Sequence, residues 1–99
     1  MPHFFYKLIP PGPAFPADVT EEEGAVMEKH FGYWAGVVQD RRVIVYGPVA
    51  DPKGTFGAAV LEVGGEDEAR AIAEGDPAIV ADAGFDFELH PMPDTIVRP

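Results

Sequence analysis

Neither cysteine nor serine occurs in this 99-residue chain. Without cysteine there is no disulfide frame and no thiolate chemistry. Without either residue, covalent catalysis through a serine or cysteine nucleophile is excluded. Basic residues are few: 7 Lys and Arg stand against 17 Asp and Glu, for a formal charge of −10. A surface of that sign repels phosphate backbones and anionic lipid, so neither nucleic acid nor a membrane is an expected partner. No apolar run approaches the roughly 20 residues that span a bilayer. The opening MPHFFYKLIPP lacks a basic segment followed by a signal-length apolar run. A soluble, cytoplasmic protein is the expectation, and the missing cysteines agree with a reducing compartment. Histidine is scarce as well. His3, His30 and His90 show no ligand spacing such as i, i+4, so no metal site is expected. VGGEDE lacks the spacing and the lysine of a phosphate loop, and no cofactor is expected. Internal repeats and low-complexity tracts are likewise missing.

What the chain does contain is 46% hydrophobic residues, enough for one domain with one core. The expected domain is residues 1–99, with its core over residues 1–91 and an extended tail over 92–99. HFFYKLI at 3–9 reads as a strand ending at Pro10, and the proline-rich stretch 10–18 as a loop. Thr20 opens T-E-E-E, a capping box that starts a helix running to about residue 40. Its expected inner face is Val26 or Met27, His30, Phe31, Trp34, Val37 and Val38. Residues 42–49 and 55–63 read as two strands joined by the DPKG turn at 51–54. A second helix is expected over 66–74, burying Ala69, Ile72 and Ala73, with Gly75 ending it in a left-handed conformation. Asp76-Pro77 reads as the N-cap and first residue of a short helix to about residue 82. FDFELHP at 85–91 alternates and reads as a fourth strand.

The order β-α-β-β-α-β predicts an α+β, ferredoxin-like fold with an antiparallel sheet and both helices on one face. Apolar residues nevertheless point to both sides of the first three strands, as in Phe4, Phe5 and Tyr6, or Val43, Ile44 and Val45. A sheet open to water on one side alternates instead. The expectation is therefore a homodimer packed through its sheet faces, with coverage by the loop and tail as the alternative.

His30 lies on the apolar stripe of the first helix. One reading is a buried histidine bonded to a backbone carbonyl. The other is a general base, which needs a carboxylate to fix its tautomer. Asp76 is the best partner on offer, although an N-cap role already explains it; Asp40, Asp51 and Glu62 are rivals. Phe5, Tyr6, Tyr33 and Trp34 are candidates for a pocket wall, with plain core packing as the alternative.

His30, Gly47-Pro48, Gly54, the Glu68-Ala69-Arg70 run and Asp76-Pro77 occur in an order that resembles the YciI-like (YCII-related) domain family, over nearly the whole chain. The resemblance implies a ferredoxin-like fold paired into a dimeric α+β barrel, similar to that of muconolactone isomerases. It implies a His–Asp active site, here His30 and Asp76. Some relatives act on chlorinated aromatics. The hydroxyl residue that members often carry a turn before the histidine is replaced by Val26. The expected function is a small enzyme of isomerase or lyase type acting on a small aromatic or lactone-like molecule. Phe5, Trp34, Gly47 and Pro48 are its expected substrate contacts. The alternative is a non-catalytic, dimeric small-ligand-binding or regulatory module.

Overall fold

A computed structural model describes residues Met1–Pro99. The elements follow as β1 (His3–Ile9), α1 (Glu21–Gln39), β2 (Val43–Val49), β3 (Phe56–Glu62), α2 (Glu66–Glu74), α3 (Pro77–Val80) and β4 (Asp86–Pro91). The strands form one open sheet in the order β2-β3-β1-β4, and every neighbouring pair is antiparallel. This is the expected α+β, ferredoxin-like arrangement, with β1 and β3 central and α3 added after α2. No helix is long and apolar enough to cross a membrane.

Local chemistry accounts for the element ends. The Thr20 hydroxyl accepts from the Glu23 amide at 3.1 Å, and the Glu23 carboxylate accepts from the Thr20 amide at 3.0 Å, closing the expected capping box. The β2–β3 hairpin turns at Asp51–Gly54, where the Gly54 amide donates to the Asp51 carbonyl at 2.9 Å. A bulge between Val43 and Val45 shifts the register of β2 against β3.

The central strands show which face the helices cover. Phe4, Tyr6 and Leu8 of β1 and Gly57, Ala59 and Leu61 of β3 are buried, while the residues between them are half-exposed. Trp34 and Val37 of α1, and Ala69, Ile72 and Ala73 of α2, meet that buried face. On the other face the register sets Phe5 opposite Val60, and Val60 opposite Val45. Val45 is 56% exposed, so an apolar row crosses three strands in contact with solvent.

Three local readings need correction. Phe31 and Val38, expected on the inner face of α1, are 51% and 39% exposed. The buried stripe runs His30, Trp34, Val37, and at 100° per residue Phe31 and Val38 fall at its edge. Gly75 is not left-handed; its φ is −82° and ψ −7°, and its amide continues the helical bonding to Ala71 and Ile72. What position 75 requires is the lack of a side chain, because a Cβ there would lie 2.7 Å from the Tyr33 hydroxyl.

Candidate functional site

Asp76 occupies the junction of α2 and α3. As N-cap of α3 its Oδ1 accepts from the Ala78 amide at 2.8 Å, which is the ordinary work of an aspartate before Pro77. The same carboxylate turns into the interior and faces α1. His30 Nδ1 lies 2.7 Å from Oδ1 and 2.8 Å from Oδ2. Trp34, one turn after His30 on the same stripe, donates its indole N–H to Oδ2 at 2.8 Å. Tyr6, on the buried face of β1, donates its hydroxyl to Oδ2 at 2.8 Å. His30 and Asp76 are both 0% exposed. The histidine is thus met by side chains, and the reading in which it bonds only a backbone carbonyl does not hold. The rival carboxylates are engaged elsewhere: Asp40 near Arg42, Asp51 in the hairpin turn, Glu62 with His3 at 2.9 Å.

Burial by itself raises the Asp76 carboxyl. The hydrogen bonds from His30 and Trp34, the attraction to His30 and the Ala78 amide outweigh it, and the group is held below its usual 3.8. An ionised carboxylate only accepts, so Nδ1 of His30 carries a proton, and in the neutral ring Nε2 is then the acceptor. Nε2 meets the hydroxyl of Tyr46, which therefore donates to it. Tyr46 stands on the buried face of β2, in register with Ala59 and, beyond it, Tyr6. The small Ala59 leaves room for both phenol rings, and Trp34 packs on each: centroids are 4.8 Å apart for Tyr6 and 5.3 Å for Tyr46, the latter nearly parallel at 10°. The hydroxyl end of Tyr46 sits where a side chain on Gly57 would be, 2.7 Å from the position of its Cβ. Burial, and then the Asp76 charge, push the Tyr46 phenol above its usual 10. Tyr6 is raised by burial, by the Asp76 charge and by its hydrogen bond to it.

Every buried side-chain nitrogen and oxygen in this network has a partner. The His30 ring is wholly buried. On the far side of Tyr46 lies a cavity of about 370 Å³, bounded by α1 at Met27 and Phe31, by Phe15 and Pro16 of the proline-rich loop, and by Phe85.

The structure brings together His30, Asp76 and Trp34 of the expected site residues. Trp34 holds the carboxylate and does not line the cavity. Pro48 borders the cavity; Gly47 does not, and Phe5 faces the other side of the sheet. Sequence reasoning missed Tyr46 altogether and saw Tyr6 only as a possible pocket wall. The available signal was strand alternation, which puts Tyr6 with Phe4 and Leu8. His3 and His90 pair with Glu62 and Glu88, each at 2.9 Å, and no group of three His, Cys, Asp or Glu is placed to hold a metal ion. No curated protein matches the chain. The YCII-related domain matches residues 4–93, and with the strand order and the buried His30–Asp76 pair in place, the chain belongs to that family.

Proposed function

We propose that this YCII-related protein is a small acid–base enzyme of isomerase or lyase type that needs no cofactor. Its proton-handling pair is His30 and Asp76. The observation that carries this is the fixed direction of the pair: an ionised, fully bonded carboxylate holds Nδ1, so the basic Nε2 points toward the side of Tyr46 and the cavity. Asp76 orients the ring and stabilises the imidazolium formed when Nε2 takes a proton. The 10–18 loop, through Phe15 and Pro16, limits water at the cavity. A positioned acid–base group contributes roughly 10²–10⁴-fold in rate.

The test follows solvent exchange. Small enolisable ketones and lactones that raise the thermal midpoint are incubated with the protein in D₂O, and loss of the carbon-bound proton is followed by NMR. Exchange is expected with the wild type and a fall of about 10²–10⁴-fold with His30→Gln. A bound, enolisable compound that does not exchange, or equal rates for the variant, would sink the proposal.

One observation favours a second reading. The network is closed, with His30 wholly buried and every polar atom partnered, as suits a binding or regulatory module without catalysis. That module binds the same compounds and exchanges none. In either case a second copy is proposed to cover the outer sheet face, where Phe5, Val60 and Val45 form the exposed apolar row.

A further inference from the structure

The chain carries 17 acidic and 7 basic side chains, yet none of the 14 residues around the cavity beside Tyr46 is charged. Four phenylalanines, Phe15, Phe31, Phe56 and Phe85, contribute to the wall, and its only side-chain hydroxyls belong to Tyr46 and Thr55. A charged ligand would leave water for a wall that offers no counter-charge, at a large desolvation cost. The volume of about 370 Å³ falls within the range of ligand sites, roughly 300–1,000 Å³.

The hydrogen-bond directions narrow the choice further. Asp76 fixes the proton of His30 on Nδ1, Nε2 accepts the Tyr46 proton, and the Tyr46 oxygen keeps its lone pairs. Toward a ligand, that oxygen is an acceptor. We propose that the cavity binds a neutral, largely apolar small molecule bearing a hydroxyl group, which donates to the Tyr46 oxygen. This deepens the acid–base reading and rests on its assignment of His30 and Asp76. The wholly buried His30 then works through Tyr46. The ligand O–H bond breaks as its proton passes to the Tyr46 oxygen; the Tyr46 proton passes to Nε2, forming an imidazolium beside the Asp76 carboxylate. Tyr46 ends as a neutral phenol that now donates to the ligand oxyanion. Its reluctance to ionise suits a group that hands on a proton without keeping a charge.

Calorimetric titration of the full chain at pH 7 tests this with three probes of one shape: 2-naphthol, 2-methoxynaphthalene and 2-naphthoate. The expected result is binding of 2-naphthol, with the methyl ether weaker by about 2–12-fold, as for one hydrogen bond, and the carboxylate weaker by at least about tenfold. Tyr46→Phe is expected to bring 2-naphthol down to the level of the ether. A second variant keeps clear of the network. Gly24 is a helical residue at the cavity whose added Cβ would meet nothing within 4 Å, so Gly24→Phe obstructs the cavity and removes binding of all three. The proposal is overturned if the carboxylate or the ether binds as well as 2-naphthol, if no probe binds, or if folded Tyr46→Phe or Gly24→Phe binds 2-naphthol like the wild type. The readout is binding, so these failures are separate from a failure of His30-dependent exchange.

Discussion

Replacing the Asp76 carboxylate by an amide leaves one acceptor oxygen where His30, Tyr6, Trp34 and the Ala78 amide all donate, and turns an NH₂ group toward donors. Asp76→Asn is therefore expected to cost about 3–5 kcal/mol, because more than one buried donor loses its acceptor at about 1–3 kcal/mol each, read from urea unfolding. The acid limb of stability carries the same signature. The folded carboxyl lies below its usual 3.8, so the unfolded chain takes up the proton first as pH falls. The stabilisation is complete above the ordinary value and is lost as pH drops through the lowered one. Unfolding free energy measured from pH 5 to pH 2 is expected to fall more steeply in the wild type than in Asp76→Asn. Equal slopes would mean that Asp76 is not held ionised. That Asp76 caps a helix was legible from the Asp-Pro pair alone; that it also gathers Tyr6 was not, because the two are 70 residues apart. Such a contact follows from the packing of α2 and its C-terminal end on β1, which no local pattern encodes.

Elements with a chemical start signal were the readable ones. Thr20 and Glu23 mark the start of α1, and the acidic first turn followed by Ala69, Ile72 and Ala73 marks α2. Faces were harder. Unbroken alternation counted from buried Val43 would put Tyr46 on the outer side, and the bulge in β2 is what turns it inward, while the edge of the α1 stripe at Phe31 was set by neighbouring elements. The α1–α2 contact yields a prediction of its own. The Tyr33 hydroxyl donates to the Ile72 carbonyl at 2.7 Å and occupies the space beside Gly75. Gly75 has right-handed backbone angles, so alanine there is favourable by roughly 1 kcal/mol before contacts are counted. The clash reverses the sign: Gly75→Ala is expected to destabilise the wild type by about 1–3 kcal/mol. In a Tyr33→Phe background the same change is expected to be neutral or stabilising. A thermodynamic cycle over the four proteins checks it, and additive effects would refute the packing account.

At the scale of the whole molecule, the open sheet and the charge act against each other. The exposed row of Phe5, Val60 and Val45 favours association, while a formal charge of −10 on each chain opposes it. Sedimentation is expected to give the mass of two chains, with association tightening as salt rises because screening weakens the repulsion. Val45→Glu adds a charge to the most exposed end of the row and is expected to give a folded single chain. A wild type that stays single at high concentration and high salt would remove the second copy from the proposal. Trp34, finally, is the only tryptophan in the chain, wedged between two tyrosine rings with its N–H on the carboxylate. Indole emission responds to polarity and to ring stacking, so the colour and intensity of this protein's tryptophan fluorescence come from one place. Light absorbed there reports on the interior without any attached dye.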